Sequence, residues 1–208
     1  MRNTKWLLFV LLLLMVPGLS AITSCGDQYH TLVVSKGGNT FEFEVPYSFR
    51  DTGQTLRKDS SDPLNGIVLE RVESAATPDT GSGLVLPTRL KIFWHRFTDL
   101  EAGVERIDAE TLVQVYLDAW AILPESHEFT LAEHGKTAVA GREGESLVYS
   151  AKFMRTVGVL DDRATYVRDV FLDDGDQIWD IQMTSAPEFA APTEEVFDRL
   201  VASFKIID

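Results

Sequence analysis

The stretch Thr40-Phe-Glu-Phe-Glu-Val45 alternates without a break: Phe41, Phe43 and Val45 fall on one parity, Glu42 and Glu44 on the other. Successive side chains of a strand point to opposite faces, so this pattern predicts a half-buried β-strand and excludes a helix there. Pro46, which has no amide hydrogen to donate, ends it. Thr31–Ser35 reads as the strand before it, with Lys36-Gly37-Gly38-Asn39 as a tight turn between the two.

The same period recurs along the chain. Residues 50–64 are polar and turn-like, Gly66–Val72 resumes as a strand, and 75–83 is a small-residue loop holding Pro78, Gly81 and Gly83. Leu84–Phe97 is the longest strand candidate, interrupted at Pro87. From Leu90 onward both parities are bulky: Leu90, Ile92 and Trp94 on one, Phe93 and Phe97 on the other. A strand apolar on both faces is covered on both faces. Four more strands are predicted over His127–Glu133, Glu143–Phe153, Arg163–Leu172 and Gln177–Thr184, with Asp173-Asp174-Gly175-Asp176 as a hairpin turn. Leu147, Tyr149, Ala151 and Phe153 share one face of the second, and Trp179, Ile181 and Met183 one face of the last.

Two segments switch to helical spacing. Asp108 is a good N-cap for a helix whose stripe is Leu112, Val115, Tyr116, Ala119 and Leu123, ended by Pro124. Pro187–Ala190 reads as a single turn. Thr193–Ser203 is the closing helix, with Val196, Phe197, Leu200 and Phe204 on its buried side. Strands outnumber helices, and hairpin turns join them. The expected class is α+β, an antiparallel sheet sandwiched by helices.

The order of these elements, opened by Asn39-Thr-Phe-Glu-Phe-Glu-Val-Pro46 and closed by Val201-Ala-Ser-Phe-Lys205, resembles the PsbP/Mog1-like fold, an α/β/α sandwich. Members include the photosystem II extrinsic protein, a nuclear Ran-binding factor and many bacterial lipoproteins. The resemblance spans about residues 31–208 and implies a non-enzymatic, protein-binding scaffold. Its matching positions are core and capping positions, so it transfers no functional residue.

Ahead of the domain, the apolar run Trp6–Val16 follows Arg2 and Lys5 and ends at Pro17-Gly18. Its 11 residues fall short of the ~20 that cross a bilayer, and its flanks are those of an export signal. Ile22-Thr23-Ser24-Cys25 then resembles the lipobox of bacterial lipoproteins, in which the signal is cut before the cysteine and that cysteine is lipidated on its sulfur and new amino terminus. The expected division is a signal peptide over 1–24, a short tether over 25–30 and one globular domain over 31–208. The alternative, an ordinary cut after Ser20, leaves Cys25 as a lone exposed thiol in an oxidising compartment, which secreted chains usually avoid. Lipid chains contribute about 0.8 kcal/mol per buried methylene, so two or three hold a soluble domain firmly. The expected location is the cell-envelope membrane, facing the periplasm or the exterior.

Cys25 is the only cysteine, so a disulfide is excluded and 184 residues must fold on their core alone. The leader holds two basic residues and no acid. Residues 25–208 therefore carry 17 Lys and Arg against 32 Asp and Glu, a formal charge of −15. That charge argues against nucleic acid or anionic lipid head groups as partners, since both demand basic patches. The partners expected are the membrane, through the lipid on Cys25, and another envelope protein.

Local chemical signatures fail one by one. Gly135-Lys136-Thr137 would need glycine where Thr130 stands to make a phosphate loop, and reads as a plain turn. His127-Glu128 would need histidine where Leu131 stands to open a zinc-protease helix. His30, His95, His127 and His134 show no ligand spacing. Asp173, Asp174 and Asp176 lack the rest of a calcium loop and read as a solvated hairpin. Trp94, Trp120 and Trp179 read as core. No catalytic, metal or cofactor residue is expected, and no cofactor. Two classes of function stay open: a lipid-anchored binding or scaffold domain, and an envelope hydrolase built from distant carboxylates that no local motif reveals.

Overall fold

A computed structural model describes residues 28–51, 65–71, 87–97, 106–122, 128–152, 154–156, 159–160 and 164–207. The leader, Cys25, the polar stretch 52–64, the loop 75–83, Leu123, Pro124, His127 and Phe153 lie outside them.

Strands β1 (Tyr29–Lys36) and β2 (Asn39–Pro46) form the expected hairpin, in register from Tyr29↔Pro46 to Lys36↔Asn39. Gly37 and Gly38 turn it at φ 57° and 81°, a backbone that glycine adopts without strain. β3 (Arg50–Asp51), β4 (Asn65–Arg71) and β5 (Thr88–Arg96) follow, then helix α1 (Ala109–Ala121). Next come β6 (Phe129–Val139), β7 (Arg142–Ala151), the short pair β8 (Met154–Thr156) and β9 (Val159–Leu160), and the hairpin β10 (Thr165–Asp174) with β11 (Gln177–Ser185). A 3₁₀ turn at Pro187–Phe189 leads into α2 (Ala190–Ser203), and β12 (Lys205–Ile207) ends the described chain.

Seven strands pair antiparallel in the order β3-β4-β5-β11-β10-β7-β6. β11 thus lies between β5 and β10. One face meets α2 and the small sheet β1-β2-β12. Phe41, Phe43, Val45, Leu90, Ile92, Trp94, Trp179, Ile181, Met183, Phe197, Leu200 and Phe204 form this core. The other face meets α1 through Val113, Leu147, Tyr149, Ala151, Val167, Phe171 and Ile178. The arrangement is the expected α+β sandwich, but β5 is sealed on one side only: Leu90, Ile92 and Trp94 are buried, whereas on the other side Phe93 is buried and Arg89, Lys91 and His95 stay partly exposed.

Three local expectations are corrected. The α1 stripe turns by part of a residue step: Val113 is fully buried and Leu112, Tyr116, Leu117 and Trp120 pack beside it, whereas Val115 and Ala119 face solvent. Gly135-Lys136-Thr137 is no turn but the middle of β6, which runs on to Val139 and turns at Ala140-Gly141, both at positive φ. Tyr29 already pairs in β1, two residues ahead of Thr31. Beyond these, the chain returns after the closing helix: β12 pairs with β2 through Lys205↔Glu42, Ile206↔Phe41 and Ile207↔Thr40.

Candidate functional site

The face under α1 carries a patch of polar side chains inside an otherwise apolar layer. The cross-strand register sets Lys91 of β5 opposite Gln182 of β11, and Gln182 opposite Asp169 of β10. One step along, Asp180 lies between Phe93 and Phe171. Asp169 is 1% exposed. Its Oδ2 accepts from Tyr149 Oη at 2.8 Å, and Tyr149 Oη lies 2.8 Å from Tyr116 Oη on α1. A hydroxyl has one proton, and Tyr149 spends its own on Asp169, so Tyr116 donates to Tyr149. A proton-bearing chain therefore runs from α1 into the sheet. Lys91 Nζ donates to Gln182 Oε1 at 2.6 Å. Asp180 Oδ1 is enclosed without a hydrogen-bond partner.

The electrostatics follow from two acids and one base withdrawn from water. Burial pushes Asp169 up to about 6, opposed by the hydrogen bond from Tyr149 and the charge of Lys91. Burial and the neighbouring Asp169 carry Asp180 well above the carboxylate range, again opposed by Lys91. Burial lowers Lys91, and the two carboxylates raise it. Burial raises Tyr149 and Tyr116. One lysine faces two carboxylates and both acids are raised, Asp169 to about 6, so the cluster is able to take up or release a proton near that pH.

A second feature lies at the start of α1. A cleft of about 580 Å³ is lined by Asp108, Glu110, Lys136, Glu143, Glu145 and Asp173, among others. Asp108, Glu110, Glu145 and Asp173 are committed to structure. Asp108 Oδ1 accepts from Thr111 N at 2.8 Å, the expected N-cap, and Asp173 Oδ1 accepts from Ala109 N at 3.0 Å. Glu145 is buried and paired with both Lys136 and His134. Lys136 also reaches Glu110.

The residues weighed from sequence fall elsewhere. His30 stacks on Tyr47, and His134 binds Glu145. Among the described residues no three His, Cys, Asp or Glu side chains gather as a metal site. The hairpin acids are less solvated than expected: Asp173 caps α1, and Asp174 accepts from Trp179 and Gln177. Trp94 and Trp179 are core, and Trp120 packs half-buried beside Phe129. Sequence reasoning missed Lys91, Asp169 and Asp180. The signal was present, since Asp169 shares its parity with Val167 and Phe171, a charge in an apolar series.

No family profile and no curated protein sequence matches this chain. Solved structures do match its fold. LpqN, described as involved in cell envelope biogenesis of Mycobacterium tuberculosis, superposes with a TM-score of 0.53 at 12% identity, over 88% of this chain and 93% of its own. The cyanobacterial PsbP of Synechocystis sp. PCC 6803 gives 0.53 at 14% identity, over 91% and 99%. The Ran-binding protein Mog1p of Saccharomyces cerevisiae gives 0.52 at 12% identity, over 88% and 97%. The fold is PsbP/Mog1-like.

Proposed function

We propose that this chain is a lipid-anchored extracytoplasmic binding or scaffold domain, with residues 1–24 as leader, Cys25 as the acylated anchor, and another envelope protein as its partner. The observation that carries the binding half is the outer side of α1. Val115 (56% exposed), Ala119 and Ile122 (84% exposed) recur at i, i+4 and i+7, on one side of a helix whose other side is already spent on the core. Exposed apolar side chains grouped on one helix side, rather than scattered singly, are the kind of surface that meets a partner. LpqN, described by an envelope role, and Mog1p, described as Ran-binding, lend the reading support on the same fold.

The test has two arms. Cys25→Ser is expected to abolish acyl labelling and release the protein from membranes; a variant that keeps label and stays bound defeats the anchor. Val115→Glu with Ile122→Glu is expected to melt like the parent yet lose the protein that the parent captures from envelope membranes. Equal capture by both would remove α1 as the binding surface.

A second reading, an envelope hydrolase, has the Asp169–Asp180 pair behind it, since two neighbouring carboxylates, both raised by burial, are the kind of equipment acid–base catalysis uses. Turnover of chromogenic esters or glycosides that vanishes in Asp180→Asn and persists in Val115→Glu would replace the binding reading with this one.

A further inference from the structure

The end of the domain next to the anchor carries an exposed aromatic group. β1 starts at Tyr29 beside the residue where β2 stops, Pro46. The two segments are closed by a hydrogen bond from Tyr47 N to Gln28 O at 2.9 Å, and the turn is tightened by Phe49 N to Pro46 O at 3.0 Å. This turn sends Phe49 into the core and Tyr47 outward, where Tyr47 is 62% exposed. The His30 ring lies parallel to Tyr47, with centroids 4.2 Å apart and planes 17° from parallel. That stack holds the tyrosine ring in place. Arg50, also exposed, follows two residues after the turn.

Covalent reach decides what this end meets. Three residues lead from Cys25 to Gln28, and fully extended they span at most about 11 Å. The acyl chains hold Cys25 at the edge of the hydrocarbon, and the headgroup layer beyond it is itself about 5–8 Å thick. A domain tied this short cannot carry its Gln28–Tyr47 end more than about 3–6 Å beyond that layer, within reach of an exposed tyrosine side chain. Tyrosine, with an apolar ring and a polar hydroxyl, is a side chain that favours the membrane interface, and an arginine there meets anionic phosphates. The formal charge of −15 on residues 25–208 acts in the opposite sense on the rest of the surface, keeping it away from an anionic bilayer.

We infer that the Tyr47 turn, with His30 and Arg50, is a membrane-seating surface: it inserts into the headgroup layer of the bilayer that holds the Cys25 lipid and so fixes the orientation of the domain. The inference rests on the proposed lipidation of Cys25 and adds an orientation to it.

The experiment uses the full acylated chain. Because acylation consumes the only native thiol, Tyr47→Cys or Lys36→Cys introduces a single site for a polarity-sensitive fluorophore. Lys36, at the far end of β1, lies about 23 Å away along the strand. Each labelled protein is bound to vesicles of phosphatidylethanolamine and phosphatidylglycerol, with and without a headgroup-attached quencher. Emission at position 47 is expected to shift to the blue and to be quenched several-fold more than emission at position 36. Equal, weak quenching at both sites on protein that floats with the vesicles would overturn the seating and leave the anchor standing. Protein without acyl label that fails to float would overturn both.

Discussion

Trp179 Nε1 donates to Asp174 Oδ2 at 2.9 Å, tying a fully buried indole on β11 to the last residue of β10. The same carboxylate accepts from Gln177 Nε2 at 3.0 Å and pairs with Arg142 of β7. Gln177 in turn exchanges hydrogen bonds with Asn39 of β2. One hairpin acid thus connects the large sheet to the small one, beside the aromatic group of Trp94, Trp179, Phe41 and Phe204.

Asp174→Ala should therefore destabilise the fold although it removes only a turn-flanking residue. It strands the Trp179 and Gln177 donors and the Arg142 charge, and a buried donor left unsatisfied costs about 1–3 kcal/mol. Burial alone would raise this acid, but the hydrogen bonds from Gln177, Trp179 and Arg142 bring it below the usual range. A lowered native pKa stabilises above the unfolded value near 3.8 and loses that contribution as pH falls through the native value. Acid unfolding of the parent and of Asp174→Ala, followed by tryptophan fluorescence, checks both: the parent should show an extra acid-sensitive loss that the variant lacks.

The buried pair under α1 has the opposite sign. Asp169 is raised from 3.8 to about 6 in the folded state, so its protonation favours folding fully below about 3.8, and that contribution is lost as pH rises through about 6. Asp180→Asn removes one of the two carboxylates competing for Lys91. It is expected to raise the melting temperature at pH 7–8, by about 2–4 °C for each kcal/mol gained in a domain of this size, and to flatten the profile between pH 4 and 7. A variant with the parent's profile would show that the two acids do not share the enclosed site.

Two glycines separate packing from conformation. A Cβ on Gly144 would come within 2.0 Å of the Phe171 carbonyl oxygen, where β7 crosses close to β10. A Cβ on Gly135, on the edge strand β6, meets nothing within 4 Å. Gly144→Ala should cost at least the ~1–3 kcal/mol of an overpacked core, whereas Gly135→Ala should be neutral or stabilise by up to about 1 kcal/mol through the unfolded chain. Urea unfolding of the two variants gives the comparison directly.

Phe204, at the end of α2, is 2% exposed and packs on Phe41 and Trp179. Phe204→Ala should cost about 3–5 kcal/mol. Glu194, exposed on the same helix, accepts a hydrogen bond from Tyr166, and its loss should cost about 1 kcal/mol or less. Melts of Phe204→Ala and Glu194→Ala that shift equally and little would mean that α2 is not docked by its apolar stripe.

Much of the fold was legible because its rules are local. The parity of Phe41, Phe43 and Val45, the N-cap at Asp108, the Gly175 turn and the 196–197–200–204 stripe each depend on neighbours within a few residues, and each stands in the structure. The phase of α1 was less legible. Its sequence offers two apolar stripes, and spacing alone does not say which one meets a sheet. The difference matters, because Val115 and Ala119, expected in the core stripe, lie with Ile122 on the surface proposed for a partner.

By itself, the sequence determined the alternation, the turns and helix ends, the class of the fold, and a core that folds without a disulfide. Tertiary structure decided what those local rules leave free: that β11 enters between β5 and β10, that β12 returns to β2, and that Lys91, Asp169 and Asp180 meet under one helix. Strand pairing is a choice among distant partners, made by the summed burial of two faces and by register. Charges on three separate strands become a cluster only after that choice is made.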